Sequence, residues 1–204
     1  MFMETPTSTL RQRRKEELRE RILDAARALF VKVGYEAFSM RKLAEKVGCS
    51  AGNLYLYFES QEHLFRCLVD DSFAELEREL RAALTSKHDP VTQLRRGMHA
   101  YIDFGLRHPD AYRIAFLVVR PRQHGAIDPH ASFKTLRTAV SACVAARRFR
   151  KVDVELASQA LWTALHGVTS LLVQLPQFPW VDSERLIATV IDHAVEPLLR
   201  RGRS

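Results

Sequence analysis

The segment from Ser39 to Phe58 constrains the fold more than any other part of the chain. Two short helical patterns meet there at Gly48, because glycine readily adopts the left-handed conformation that ends a helix. Ser50 follows as a predicted N-cap, since its hydroxyl oxygen can accept a hydrogen bond from the next helix. Leu54 and Phe58 turn one side of that helix inward and leave its amino-terminal end exposed. The segment predicts a helix-turn-helix, whose second helix is offered to a DNA major groove.

The helical period dominates the whole sequence, and no strand-like alternation interrupts it. We therefore predict an all-α chain of about nine helices. Gly34 closes the first helix, and Ser39, Ser50 and Ser60 cap the next three. The fourth helix keeps its apolar spacing for about six turns, long enough to join two parts of the chain rigidly. Helix bounds expected from the pattern include about 16–33 for the first, 153–175 for the eighth and 182–200 for the ninth.

Composition restricts the class of protein. The net charge of +7 favours a polyanionic partner. Three cysteines, an odd number at unrelated spacings, argue against a disulfide framework and a zinc site. The amino terminus is polar and basic and lacks a secretory signal, and no apolar run reaches the length of a membrane span. We expect a cytoplasmic protein that has no membrane partner and no metal or cofactor.

A longer window resembles a known family. The residues that carry the resemblance are Ile22–Phe30, Gly34–Arg41, Leu43–Phe58 and Glu62–Leu64. They are similar to the tetracycline-repressor (TetR) family of bacterial transcription regulators. The resemblance implies an amino-terminal three-helix helix-turn-helix domain, followed by a helical bundle that binds a ligand and dimerises. Two further stretches resemble a subgroup whose regulatory domain carries a Trp/His/Gly signature: His108–Arg113 and Leu161–Gly167.

Domain organisation follows from these patterns. We predict a flexible basic arm over residues 1–15, a helix-turn-helix DNA-binding domain over 16–60, and a ligand-binding and dimerisation domain over 61–204. The arm either contacts DNA or is only a solubilising tail. One position departs from the family pattern, because Gln61 stands where the family usually has a lysine that meets a DNA phosphate. The resemblance therefore implies that this contact is weaker or replaced.

The predicted DNA-binding residues surround the start of the third helix. Gly52 and Ala51 allow close approach of the backbone, and Asn53 can hydrogen-bond a base edge. Tyr55 can reach a phosphate, whereas Tyr57 either does so or packs against the first helix. The amino-termini of both helices attract phosphate through free N–H groups. The full predicted set is Arg14, Ser39, Met40, Arg41, Ser50, Ala51, Gly52, Asn53, Tyr55 and Tyr57.

An effector site is predicted between helices five to eight, where helical bundles hold ligands. The alternative is that these side chains are simply core. His166 lies one turn after Trp162 and is satisfied by a hydroxyl or carbonyl, or else orients a ligand. The predicted lining is Met98, Tyr101, Phe104, Phe116, Phe133, Trp162 and His166.

The eighth and ninth helices are apolar over more than one stripe, so each needs cover on two sides. One body covers one face of each helix, and a second copy of the chain covers the rest. In the resembled family these helices form a four-helix dimer interface. The predicted interface residues are Ala160, Ala164, Val168, Leu171, Val190 and Ala194.

We therefore predict a homodimeric transcription regulator, a repressor that binds a roughly palindromic double-stranded operator and is released by a small apolar or amphipathic effector. One rival is a ligand-independent DNA-binding dimer, or an activator, with a solid helical body. An enzyme is disfavoured, because the sequence holds no Ser-His-Asp arrangement, phosphate loop or metal cluster. Cys49, beside the third helix, either senses oxidants or packs inertly.

Overall fold

The structure, a computed structural model, describes residues 6–84, 89–118 and 131–200. Over these ranges it is helical, with one isolated antiparallel bridge between Phe149 and Leu199. This confirms the predicted all-α fold. A π-helical turn (Arg113–Leu117) and a 3-10 turn (Glu196–Leu198) extend two of the helices. The α-helices are α1 (Pro6–Val33), α2 (Met40–Val47), α3 (Ala51–Tyr55), α4 (Gln61–Ala83), α5 (Pro90–Arg107), α6 (Pro109–Tyr112), α7 (Ala131–Ala145), α8 (Val154–Gln174) and α9 (Ser183–Val195).

The helix ends around the turn form as their residues predict. Gly34 and Gly48 have φ angles of 76° and 79°, in the left-handed region that glycine favours. The hydroxyl of Ser50 accepts from the amide of Asn53 at 3.2 Å, and that of Ser60 accepts from the amide of His63 at 3.0 Å. Ser39 occupies the N-cap position of α2, but its side chain makes no capping hydrogen bond.

Two predicted helix limits were wrong. Within the described residues, 6–15 continue α1, whereas we expected a flexible arm and a helix starting near Glu16. This stretch holds no glycine, its proline stands at the first helical position, and Gln12 donates to Glu16 one turn on at 3.0 Å. At the other end, α9 stops at Val195 instead of continuing to residue 200. Pro197 has no amide hydrogen to continue the helix, so the chain forms the 3-10 turn.

The chain divides into two compact units. The first comprises residues 1–72 and 110–123, and the second comprises 73–109 and 124–204. Helix α4 contributes to both, with the division between Ser72 and Phe73. The first part of α4 belongs to the amino-terminal unit because its apolar side chains are buried there, Phe65 being only 2 % exposed. The compact division is therefore not at residue 61, and the functional limits of 16–60 and 61–204 stay a prediction.

The core of the first unit is a cluster of aromatic rings. Phe30, fully buried in α1, stacks on Phe38 with ring centroids 3.7 Å apart and meets the edge of Phe65 at 4.9 Å. Tyr35 meets Phe65 at 5.1 Å. These rings come from α1, α4 and the connection that precedes α2, so their packing positions the helix-turn-helix.

Two arginines of α1 and one buried serine of α4 form further hydrogen bonds within this unit. Arg21 donates to the carbonyl of Val47 at the end of α2, at 3.3 Å. Arg27 donates at 3.3 Å to the hydroxyl of Ser72, which in turn donates to the carbonyl of Leu68 at 2.8 Å. A hydroxyl bonded back to its own helix often bends it slightly. Ser72 thus links α1 to the middle of α4, a helix that contains no glycine or proline.

The second unit is a bundle in which α8 packs against α5, α7 and α9. Among the described helices, α8 is long and apolar enough to cross a membrane by length and composition alone. Its packing against three neighbours gives a sufficient reason for that composition, since Leu161 and Leu165 are 1 % and 2 % exposed. Helix α5 begins with Asp89 as N-cap and Pro90 in its first turn.

We expect Gly48→Ala to lower the free energy of unfolding by about 1 kcal/mol, because alanine resists the left-handed conformation. A Cβ at position 48 meets nothing within 4 Å, so the cost is conformational and not steric. Urea unfolding at fixed protein concentration measures it. Gly52→Ala is the matched control, since its Cβ meets only the Ser50 hydroxyl oxygen at 4.0 Å and its φ is not positive. An equal loss in both variants would contradict the assignment.

Candidate nucleic-acid interface and effector site

The start of α3 is an exposed and sterically open surface. Gly52 is exposed, and Ala51 and Asn53 are half-buried. Tyr55 keeps 52 % of its surface exposed at the end of the helix. Leu54 and Phe58, which we predicted as core, are 0 % and 1 % exposed. Burial of these two anchors presents the amino-terminal backbone of α3 outward, with little side chain to separate it from a ligand surface.

Helix α2, which precedes α3, carries exposed charged side chains in the same compact unit. The Arg41 side chain is 87 % exposed and lies 3.5 Å from Glu45, and Lys42 is exposed. Ser39 is half-buried, as is Tyr57. Met40 is buried, only 8 % exposed, so the DNA contact predicted for it stays a prediction that concerns its backbone amide at the start of α2. The first residue of α2 belongs to the buried apolar face of this helix, and the N-cap position of Ser39 did not predict that.

The basic residues at the start of the chain lie along α1. Arg13, Arg14 and Lys15 are exposed on this helix, so the predicted Arg14 contact would come from a helical surface and not from a flexible arm. The side chain of Arg11 lies outside the described residues.

Gln61 has a structural role where the resembled family usually has lysine. Its Nε2 atom donates a hydrogen bond to the backbone carbonyl of Tyr35 at 2.9 Å, and the two residues are 26 positions apart in the sequence. The bond ties the start of α4 to the connection before α2. The amide is therefore used inside the unit, which gives a physical reason for a neutral residue at this position.

In the second unit, two neighbouring depressions lie among α4, α5, α7 and α8. The deeper one, which we call the inner cleft, has a volume of about 40 Å³. One water molecule needs roughly 10–15 Å³ of such space, so the inner cleft is far smaller than a site for a drug-sized ligand. Its lining is almost entirely apolar: Leu80, Leu84, Leu94, Gly97, Met98, Tyr101, Ser132, Phe133, Thr135, Leu136, Ala139, Trp162 and Leu165.

The second depression, the outer groove, is open and larger, with a volume of about 440 Å³. Its lining is more polar and includes a carboxylate, an ammonium, an amide and two hydroxyls. The residues are Glu77, Leu84, Pro90, Gln93, Lys134, Thr135, Thr138, Ala139 and Ala142.

Four of the seven predicted effector residues line the inner cleft: Met98, Tyr101, Phe133 and Trp162. Phe104 is fully buried and stacks near His108, at a centroid distance of 5.4 Å. Phe116 belongs to the first compact unit, where it packs on Tyr112 at 4.9 Å. The prediction favoured aromatic residues and therefore missed the small and aliphatic positions Leu84, Gly97 and Ala139. These residues lie on or next to three different helices, and the helical period alone cannot separate such positions from ordinary core.

His166 is paired with a hydroxyl, one of the alternatives that the sequence left open. Its Nδ1 lies 3.2 Å from the hydroxyl oxygen of Tyr101, and its ring is tilted on Trp162 at 5.5 Å. Burial lowers the pKa of His166 below its ordinary value of 6.5. The histidine is thus held neutral and fixes the orientation of Tyr101, which lines the cleft.

The cysteines show no clustering within the described residues. Cys143 is buried, and burial raises the pKa of its thiol to about 11. Burial also raises the pKa of Cys67. Cys49 is half-buried, and its backbone amide donates to the carbonyl of Ala44 at 3.0 Å.

The outward face of α8 is built of small and apolar side chains. Leu156 and Leu171 are 67 % and 46 % exposed, with Ala160 exposed between them. A Cβ on Gly167 would meet nothing within 4 Å, so space is open beside the helix. Of the predicted interface residues, Val190, Ala194 and Ala164 are half-buried, whereas Val168 is only 8 % exposed and packs mainly within its own bundle.

We expect acidification to destabilise the fold through His166. The unfolded histidine takes up a proton below about pH 6.5, and the folded one resists it because its pKa is lowered. The free energy of unfolding therefore falls as the pH drops below 6.5 toward the folded pKa, and this term is absent above 6.5. Urea unfolding between pH 5 and 8 should show a weaker decline in His166→Gln than in the wild type. The exposed His99→Gln is the control, and an unchanged decline in His166→Gln would refute the assignment.

Comparison with known proteins agrees with this geometry. Residues 22–68 match the family described as "Bacterial regulatory proteins, tetR family". Residues 94–194 match the "Tetracyclin repressor-like, C-terminal domain". Together the two matches cover most of the chain, and each falls on helices described above.

Individual relatives match over shorter stretches. The transcriptional repressor KstR of Mycolicibacterium smegmatis is 41 % identical over 87 residues, 43 % of each chain. The transcriptional activator FasR of the same organism is 31 % identical over 102 residues, 50 % of this chain and 47 % of FasR. The chain thus aligns with less than half the length of these curated relatives.

A solved structure extends the likeness of fold over nearly the whole chain. A tetR family transcription regulator from Marinobacter aquaeolei VT8 superposes with a TM-score of 0.73 at 20 % identity, over 93 % of this chain and 100 % of that one. At this identity the likeness establishes the fold alone. With the two family matches and the exposed helix-turn-helix, it leads to one assignment: the chain belongs to the tetR family of DNA-binding transcription regulators.

Proposed function

We propose that the protein is a cytoplasmic repressor that binds a palindromic operator as a homodimer and leaves it when a small effector binds. The observation that carries the DNA-reading role is the open amino-terminal end of α3. Gly52 there is exposed and its missing side chain leaves the backbone accessible, while Leu54 and Phe58 anchor the helix from below. A major groove admits such a helix end, where Asn53 can reach a base edge and the Ala51 methyl a thymine methyl.

Selection of bound duplexes from a random pool tests this role. The enriched sequence should be an inverted repeat, because two copies of α3 related by a two-fold axis read the same half-site. Gly52→Ala should fold as well as the wild type and bind the enriched duplex at least about tenfold more weakly, since an added methyl separates backbone from bases. Unchanged affinity in Gly52→Ala, or no enriched sequence, would count against α3 as the reader.

Phosphate contacts supply the remaining affinity in this proposal. Arg14, Arg41 and Lys42 are exposed cations of the same compact unit as α3. The hydroxyls of Tyr55 and Tyr57 and the first amides of α2 and α3 add neutral donors. Binding should therefore weaken steeply with added salt.

We expect Gln61→Lys to strengthen operator binding and make it more salt-dependent. A lysine here adds about one phosphate contact per protomer, so the slope of log affinity against log salt should steepen by roughly 0.9 per protomer. The change also removes the bond to the Tyr35 carbonyl, at a cost of about 0.5–1.5 kcal/mol in unfolding free energy. Fluorescence anisotropy at several salt concentrations measures the slope. Gln61→Met loses the same bond without adding charge, and a slope equal to that of Gln61→Lys would contradict the phosphate contact.

The outward face of α8 supports the homodimer. It presents Leu156, Ala160 and Leu171 to solvent, with open space beside Gly167. Small residues allow close approach of a second helix, and exposed leucines give it apolar surface to bury. Val190 and Ala194 of α9 are half-buried and can extend the same contact.

Leu171→Arg should convert the protein to a monomer at micromolar concentration, because it places a charge in the proposed apolar contact. Sedimentation velocity measures the change, and operator affinity should fall with it. Gln159→Arg introduces the same side chain at an exposed position of α8 about 100° from Ala160 around the helix. If Leu171→Arg stays dimeric, or if both variants dissociate alike, the interface lies elsewhere.

Effector control is supported by the polar groove that adjoins the apolar inner cleft. A ligand shifts the equilibrium only if it binds the DNA-competent and incompetent forms with different affinity, and coupling of about 1–3 kcal/mol suffices. The ring contact of Trp162 with His166 also supports membership of the Trp/His/Gly-signature subgroup.

One observation favours the rival of a solid, ligand-independent body: the inner cleft alone holds only about 40 Å³. A regulator of this kind can repress or activate, since the relatives include the repressor KstR and the activator FasR. Reporter expression from the selected operator decides between repression and activation. Operator binding that no small molecule alters would support the rival.

A further inference from the structure

The segment that joins α7 to α8 is held against the segment that follows α9. Backbone hydrogen bonds of 2.9 Å flank the isolated bridge between Phe149 and Leu199 on both sides. The Nε atom of Arg150 adds a hydrogen bond to the carbonyl of Pro197, also at 2.9 Å. Residues that are 47 positions apart in the sequence therefore lie side by side.

These two segments border an open depression, which we call the basic depression. Its volume is about 390 Å³, within the range of small-molecule sites. Its lining residues are Val144, Arg147, Phe149, Arg150, Lys151 and Arg200. None of them lines the inner cleft or the outer groove. Three arginines and one lysine, all exposed, give the described lining a formal charge of +4, and no carboxylate belongs to it.

The carboxylates closest to these cations in the sequence have other partners. Asp153 accepts from the first amides of α8 as its N-cap, and Glu196 pairs with Arg95 at 3.3 Å. Asp89 pairs at 2.8 Å with Arg148, an arginine outside the lining. Within the described residues, no carboxylate is paired with any of the four lining cations.

Arg147 holds a backbone conformation that glycine favours. Its φ is 56°, the one positive φ among the described residues other than glycine. It lies in the turn that ends α7, where the amide of Arg148 donates to the carbonyl of Cys143 at 3.0 Å. Gly48 occupies the corresponding turn after α2. An arginine at this position costs stability relative to glycine, and such local costs are typical of functional positions.

The charge exceeds what the end of α7 requires. Cations stabilise the carboxyl end of a helix, but the helix dipole amounts to only about half an elementary charge. The carbonyls of Ala142, Cys143 and Val144 near that end accept backbone amides at 2.9–3.1 Å. The lining cations are therefore available to a ligand, and their mutual repulsion favours an anionic one.

We propose that the basic depression binds a small anion built from a chain of phosphate groups, with inorganic triphosphate as its simplest form. A triphosphate carries about four negative charges near neutral pH, which matches the lining charge of +4. The planar guanidinium group binds two phosphate oxygens at once, and the ammonium group acts as a point charge. A single phosphate carries about half that charge and reaches fewer of the cations. This site is independent of the proposed effector response.

Isothermal titration calorimetry of the full chain with sodium triphosphate at low salt tests this site. We expect saturable binding of triphosphate, weaker binding of pyrophosphate, and binding of orthophosphate that is weaker than that of triphosphate by at least about tenfold. No saturable binding of triphosphate, or equal affinity for triphosphate and orthophosphate, overturns the proposal.

Arg147→Gly separates a role in ligand binding from a role in folding. Glycine favours the φ of 56°, so the variant should unfold at a higher urea concentration than the wild type. Loss of the guanidinium group should at the same time weaken triphosphate binding roughly fivefold, the effect of one charge contact in water. Unchanged affinity for triphosphate in this variant contradicts the site.

Two further substitutions and a matched control locate the ligand. Lys151→Gln and Arg200→Gln should each weaken triphosphate binding roughly fivefold for the same reason. Arg185→Gln removes a charge from an exposed position near the amino-terminal end of α9, about 15 Å along that helix from Val195. This control should bind triphosphate as the wild type does. Equal losses in all three variants overturn a local site, because net charge alone would then explain the binding.

A nucleic-acid backbone presents the same phosphate chemistry, so a duplex is the rival occupant. Fluorescence anisotropy with a labelled duplex of arbitrary sequence compares the wild type with the double variant Lys151→Gln/Arg200→Gln. The duplex should bind both proteins equally, whereas triphosphate binds the double variant more weakly. A loss of duplex affinity as large as the loss for triphosphate overturns the small-anion site and assigns the basic depression to nucleic acid.

Discussion

The packing of Phe30 is the contact on which the amino-terminal unit depends. This one ring, fully buried in α1, touches Phe38 ahead of α2 and Phe65 in α4. Loss of a buried phenylalanine costs roughly 3–5 kcal/mol, a large part of the 5–15 kcal/mol that stabilises a typical domain. Because α2 and α3 are short, they cannot hold their own direction in water. The aromatic cluster holds α2 and α3 in position, and this position leaves the amino-terminal end of α3 exposed.

In the second unit, single residues contribute both to the packed core and to the lining of the inner cleft. Tyr101 is part of the core, yet its hydroxyl meets the neutral ring of His166 and its side chain lines the inner cleft. Leu84, directly after α4, lines the same cleft, and a Cβ on Gly97 of α5 would lie 3.4 Å from its Cδ2 atom.

Features that depend on neighbours in sequence could be predicted, and those that depend on distant contacts could not. Gly48 and Pro90 act through their own backbone, and Ser50 acts through a hydroxyl that accepts a bond from its own helix, so the turn and the helix starts followed from residue type alone. The bond from Gln61 to the Tyr35 carbonyl joins positions 26 residues apart, and nothing in local spacing announces it.

The effector residues show the same limit. Met98 and Trp162 were predicted because large side chains stand out in a helical pattern, and Phe116 was predicted for the same reason but lies in the other unit. Gly97 and Ala139 shape the cleft by what they lack, which a search for prominent residues overlooks. Among the predicted DNA-binding residues, the burial of Met40 could not be predicted, because the exposure of the first residue of a helix depends on which face the following turns bury.

Helix α4 has a mechanical consequence that follows from its length. Its 23 residues extend about 34 Å at 1.5 Å each, without glycine or proline to absorb a bend. A rigid rod of this length that pivots at one end by about 5° carries its other end through roughly 3 Å, about the rise of two helical residues. Ser72, near the middle of the helix, is fully buried; its hydroxyl donates to the carbonyl of Leu68 and accepts from Arg27 of α1. A tilt of α4 would therefore have to be accommodated by the hydrogen bonds that one serine makes at the centre of the helix.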